Sequence, residues 1–200
     1  MAVVQQMVQA EPYDFVVIGP QTQSSSAVFG NGAVDLVAHL KANVLVVPAN
    51  TPVQSARHIV LATDFARLKN AKLLAPVKEL ATGKGAILTL LTINTPGKKS
   101  IGVAQEQHIR LFLAPIEPVV IHQEAATAKA GIDDFLSRHQ IDLLVTIPRP
   151  HSPATNRKTR PRQPFTPAVP LLTLYDDDTN DLPQPISTLT AGKLENNPTV

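Results

Sequence analysis

The chain has 200 residues, 44% of them hydrophobic, a net charge of +2 and no cysteine. Domains commonly run to roughly 100–200 residues, so this length holds one full core plus part of another. The missing cysteine excludes a disulfide framework, a thiolate metal site and a cysteine nucleophile, and so small a charge gives no general attraction to nucleic acid.

Met1 to Ala10 has neither a basic start nor an apolar core followed by a small-residue cleavage site, so it does not read as a signal peptide. No apolar run approaches the roughly 20 residues of a membrane helix. The expectation is a cytoplasmic protein without a membrane partner.

Tyr13 to Ile18 is a continuous apolar run closed by Gly19, which suits a strand buried on both faces of a parallel sheet. Gln21 to Ser26 reads as a loop. Ala33, Val34, Leu36, Val37 and Leu40 recur at helical spacing behind Asn31, a candidate N-cap. Val44 to Val47 is the next strand, and Asn50 to Ser55, with Pro52, reads as a linker.

A second block opens with the strand His58 to Thr63, closed by Asp64. A helix is expected over about Leu68 to Ala81, with Leu73, Leu74, Val77 and Leu80 as its buried stripe and Gly83 to Gly85 as its stop. The strand Ala86 to Ile93, a helix over Val103 to Phe112, the strand Pro118 to Ile121, a helix over Ala125 to His139 and the strand Ile141 to Ile147 follow. Strands alternating with helices imply right-handed crossovers and a parallel sheet, an α/β doubly wound, Rossmann-like fold. From Pro148 to Pro170 repeated prolines oppose any regular helix, each costing about 3 kcal/mol inside one. From Asp176 onward there is little apolar content to bury, and a disordered tail is expected over 176–200.

One pattern occurs twice. Asp14-Phe15-Val16-Val17-Ile18-Gly19 returns as Asp142-Leu143-Leu144-Val145-Thr146-Ile147, and Asn43 to Pro48 returns loosely as Val169 to Leu174. Ile59-Val60-Leu61-Ala62-Thr63-Asp64-Phe65, a helix with Ala71 and Ala75, and Gly85 to Leu91 together resemble the opening of a universal stress protein domain. Ile141 to Val145 and Pro170 to Leu174 resemble its fourth and fifth strands. Asp14 to Pro48 resembles the same closing half of a preceding domain. The resemblance therefore implies a tandem member lacking its first three strands: residues 1–52 as the C-terminal half of one domain, 53–175 as a second domain, and the tail.

ATP-binding members of that family carry a glycine turn after the fourth strand, where bare amides and a helix N-terminus cradle phosphates. The resemblance places Gly19, Thr22, Gly32 and Ala33 at its four positions in the first copy, of which only the two glycines match. Thr22 adds bulk where backbone must approach phosphate, and Ala33 lacks a hydroxyl. The second copy offers Ile147, Pro150, Arg160 and Pro161, matching nowhere. The family's acidic residue after the first strand is Asp64 here, in the other block from Gly19. The site therefore reads as degenerate, with no cofactor expected, and ATP as the alternative if a second chain completes it.

Asp64 also suits a helix N-terminus, and Gly32 suits entry into a helix. Asp14 and Asp142 open matching strands, which points to a repeated structural role. His58, His108 and His139 read as surface residues without metal-ligand spacing, and Ser24 to Ser26 lack a nucleophile turn. Arg149, Arg157, Lys158, Arg160 and Arg162 make a basic loop without interleaved aromatics, read as solvated and not as a nucleic-acid site. The resemblance implies a non-enzymatic stress-response or signalling protein acting through protein contacts. Family members pair domains through their last strands, so the resemblance implies that Val44 to Val47 pairs with Leu171 to Leu174 about a pseudo-two-fold. The edge at Phe15 to Ile18 would then be uncovered, favouring a dimer or a protein partner.

Overall fold

The structure, a computed structural model, describes residues 2–11, 13–19, 40–52, 54–62, 64–65, 68, 70–97, 102–147 and 169–176. The expected helix before Leu40, the polar loop at 21–26, most of the proline-rich stretch with its basic residues, and the tail from 177 lie outside these.

The helix α1 (Ala2–Ala10) leads into the short strands β1 (Val16–Ile18) and β2 (Val44–Val46). Then come β3 (His58–Ala62), a 3-10 turn at Ala71–Leu74, α2 (Ala75–Lys84), β4 (Ile87–Asn94), α3 (Val103–Leu113), β5 (Val119–Glu124), α4 (Ala128–Arg138), β6 (Leu143–Thr146) and β7 (Leu171–Thr173). The seven strands among the described residues form one sheet in the order β1-β2-β7-β6-β3-β4-β5. Every neighbouring pair is parallel except β2 and β7, which run antiparallel.

Local chemistry sets the element ends. The helix expected from Leu68 cannot pass Pro76, which has no N–H to donate and whose ring would meet a carbonyl one turn back. The chain instead makes the 3-10 turn, capped by Asn70 accepting from Lys72 N–H, and α2 starts with Pro76 in its first turn. Gly85 ends α2 at φ 58°, a left-handed conformation that glycine takes without penalty. The helix over the expected 125–139 begins later, at Ala128, where Thr127 accepts from Ala130 N–H at 3.1 Å. β5 reaches Glu124 instead of stopping at Ile121, because its ladder with β4 continues to the pair Asn94 and Glu124.

Two apolar layers sandwich the sheet. On one face Ile59, Leu61, Leu88, Leu90, Leu143 and Val145 pack under Val77 and Ala81 of α2 and Ile109 and Leu113 of α3. On the other, Val44, Val46, Val60, Leu91, Leu144 and Leu171 pack with Phe135 of α4. Val4 and Val8 of α1, one turn apart, join this second layer beside Val16 and Ile18. The buried runs of β3, β6 and β7 follow from having neighbours on both faces.

The expected pairing of the two closing strands is present, with Val44 opposite Thr173, Leu45 opposite Leu172 and Val46 opposite Leu171. Leu45 and Leu172 therefore sit at a local two-fold axis. The ladders repeat about it. Val16 N–H donates to Asn43 O at 2.8 Å as Leu144 N–H donates to Pro170 O at 2.9 Å, and Val47 N–H donates to Ile18 O as Leu174 N–H does to Thr146 O, both at 2.9 Å. Val16, Val17 and Ile18 thus correspond to Leu144, Val145 and Thr146, and Asp14 to Asp142. Asn43 takes the place of Pro170 and not of Val169, one residue from the expected alignment. The hydrogen-bond ladder, which fixes the face each side chain occupies, decides the register where apolar runs alone are ambiguous.

Candidate functional site

Gly19 follows β1 and is exposed, and a Cβ built on it would meet no atom within 4 Å. Its φ lies outside the left-handed region, and among the described residues nothing around it demands glycine. Asp64 follows β3, half-buried beside the buried Phe65, and makes a polar interaction within the chain. Thr22, Gly32 and Ala33 lie outside the described residues.

The sheet keeps Gly19 and Asp64 apart in two ways. Three strands, β2, β7 and β6, stand between β1 and β3, a separation of roughly 19 Å at the usual strand spacing of about 4.8 Å. The antiparallel junction of β2 and β7 also reverses direction, so the C-terminal ends of β1 and β3 lie at opposite ends of the sheet.

Asp142 is the most heavily used carboxylate among the described residues. It accepts from Arg57 N–H at 2.8 Å, His58 N–H at 2.9 Å and Gln54 Nε2 at 2.9 Å, tying β6 to the start of β3. Its partial burial works to raise its pKa, but the amides of His58 and Arg57, the Gln54 side chain and the charge of His58 together outweigh that and hold the carboxyl below its ordinary 3.8. Asp14, its counterpart, is exposed, and only its backbone carbonyl has a described bond, from Asn43 Nδ2 at 3.0 Å. Asn43 also accepts from Tyr175 N–H at 3.0 Å, so it fastens β1 and the end of β7 to β2. Asn43 heads the repeated run Asn43 to Pro48, and a polar residue just ahead of a buried strand is a recognisable signal for such a role.

The largest asymmetry lies on the face of Leu45 and Leu172. In the β6 half, Leu143 and Val145 are 7% and 0% exposed under α2, whereas their counterparts Phe15 and Val17 are 37% and 64% exposed. An apolar cleft of about 430 Å³ opens there, lined by Phe15, Val17, Leu45, Val47, Leu80 and Leu172 among others.

Three of the described histidines make contacts within the framework. His58 Nδ1 lies 3.1 Å from Gln140 O, His122 lies 3.5 Å from Glu106, and His139 stacks on Phe135 with ring centroids 4.0 Å apart. Among the described residues no three His, Asp or Glu side chains gather as metal ligands, and no helix is long and apolar enough to cross a membrane.

No protein-family model matches the sequence, and no curated protein matches it either. Among solved structures the chain is similar to a universal stress protein from Archaeoglobus fulgidus DSM 4304, with a TM-score of 0.61 at 15% identity over 86% of this chain and 66% of that one. The chain thus spans slightly less than two thirds of that protein's length. The likeness establishes a shared fold: a mostly parallel α/β sheet of universal stress, Rossmann-like type, flanked by helices.

Proposed function

We propose that this chain is a cytoplasmic stress-response or signalling protein of universal stress type that works through protein contacts, catalyses no reaction and holds no cofactor. The observation that supports this reading most is the reversal at the β2–β7 junction. A phosphate-cradling turn after β1 and a carboxylate after β3 cannot converge on one nucleotide when they face opposite ends of the sheet. The exposed apolar face of β1 gives the chain a surface suited to another protein, and nucleic acid and membrane are not among the partners we assign.

A second reading has one observation in its favour. Gly19 stands at the end of an exposed edge strand, so a strand from another molecule laid along β1 would end beside it. In that reading the turn binds ATP or AMP within an assembly.

Titration calorimetry with ATP and Mg²⁺ on the purified chain, with its mass measured by light scattering in the same sample, separates the two. The first reading predicts no saturable heat. Saturable binding that Gly19→Val abolishes would overturn it in favour of the second, and this substitution fits the fold because nothing lies within 4 Å of the new Cβ.

A further inference from the structure

Among the described residues β1 is an edge strand with one side in use. Val16 and Ile18 bond to the β2 side through Asn43 and Val47, so alternation along the strand turns the N–H and C=O of Val17 outward. In the corresponding place, β6 pairs with β3 in parallel, with Ile59 beside Leu143, Val60 beside Leu144 and Leu61 beside Val145. Asp142, two residues before Leu144, accepts the amides of Arg57 and His58 where that partner strand begins. The local two-fold carries this arrangement onto β1: Asp14 stands where Asp142 stands, Phe15 where Leu143 does, and Val17 where Val145 does. The β1 half thus repeats the receiving side of a strand pair, down to the carboxylate, while the strand received is present only in the β6 half among the described residues.

We propose that the free edge of β1, with the Asp14 carboxylate at its start and the apolar cleft under Val17 beside it, binds an extended segment of another polypeptide in parallel. That segment has the chemistry of β3: an apolar strand entered by a basic residue, as in Arg57-His58-Ile59-Val60-Leu61-Ala62. Two amides at its start bond to Asp14, its backbone completes the ladder at Val17, and its apolar side chains cover Phe15 and Val17.

A second copy of this chain fits less well. Antiparallel pairing of two β1 edges would set Asp14 beside the end of its partner and not its start. The other edge strand, β5, is entered by Pro118, which has no N–H for Asp14 to accept. This assignment deepens the protein-contact reading and rests on it for its purpose. The nucleotide titration decides that reading, and the measurement below decides this one, so either failure is readable alone.

The test uses the full chain, isotopically labelled, and a synthetic peptide of residues 54–63 at about 1 mM, with backbone amide exchange followed residue by residue. The expected result is that exchange at Val17 slows about tenfold on adding peptide, as for an amide newly placed in a ladder. Asp14→Ala, which removes an exposed side chain, should reduce that protection severalfold. Val17→Pro, which removes the outward N–H on an edge strand together with the side chain the segment would cover, should abolish peptide binding as read by the shifts of Phe15 and Leu45. Exchange at Val17 indifferent to the peptide would overturn the proposal. So would protection that Asp14→Ala leaves unchanged, or protection without peptide that rises with chain concentration, which would make a second copy the occupant.

Discussion

Asp142 holds the first two amides of β3 through one carboxylate and takes a third bond from Gln54. Asp142→Ala leaves those amides without their partner, and a loss of about 1–3 kcal/mol is expected in urea unfolding. The pH dependence has a definite sign. Because the folded carboxyl titrates below its ordinary 3.8, the unfolded chain takes up the proton first. The contribution is complete above that value and is lost as pH falls below it through the folded value. The stability gap between the natural chain and Asp142→Ala should therefore narrow on going from neutral pH to about pH 3, and a gap of constant size would contradict the assignment. Gly131 in α4 gives a second expectation. A Cβ there would lie 2.6 Å from Ile93 Cγ2 and 2.8 Å from its Cδ1, so either the Ile93 side chain or the helix must shift. Gly131→Ala adds about 1 kcal/mol of helix propensity against about 1–3 kcal/mol of overpacking. A net loss near 1 kcal/mol in thermal unfolding is expected, and a gain would show that α4 is not seated on Ile93. Asp142's structural role was legible from its repeat with Asp14, whereas the demand for glycine at 131 depends on a neighbour 38 positions away and leaves no local signal.

At the scale of elements, the strands of the second half were legible because runs such as Ile59 to Ala62 and Leu143 to Val145 are buried on both faces and leave no competing helical period. The start of α2 was misplaced because its apolar stripe continues upstream of Pro76, and the proline's steric rule outranks the stripe. α1 was passed over altogether. Val4 and Val8 face the core one turn apart, but Val3 and Met7 on the exposed side carry apolar residues too, so the polar face that would mark an amphipathic helix is blurred. The end of α2 was read correctly, and it carries a prediction of its own. Gly85 at φ 58° permits an L side chain only with strain, so Gly85→Ala should cost about 1 kcal/mol. A neutral effect in urea unfolding would mean that the turn relaxes.

For the whole molecule, the decisive feature is the join between β2 and β7, where two parallel sets of strands meet antiparallel in one sheet. It separates Gly19 from Asp64, creates the local two-fold, and leaves β1 as a receiving edge whose counterpart β6 is filled. The pairing itself was foreseeable only through the resemblance to universal stress proteins, since it follows from how that family joins its domains and not from the motifs alone. That Gly19 and Asp64 fall in different blocks is legible in the sequence, but which end of the sheet each turn occupies is a property of topology and not of local sequence. The chain contains no cysteine, so the join can be probed without background. Leu45 and Leu172 lie directly opposite, and the roughly 4.5–5.5 Å between Cα atoms of opposed antiparallel residues suits a disulfide. The measurement is oxidation of the double variant Leu45→Cys, Leu172→Cys at low concentration, read by non-reducing mass analysis. A monomer closed by one internal disulfide is expected. Free thiols, or bonds formed only between two chains, would show that β2 and β7 do not meet within one molecule and would contradict the join.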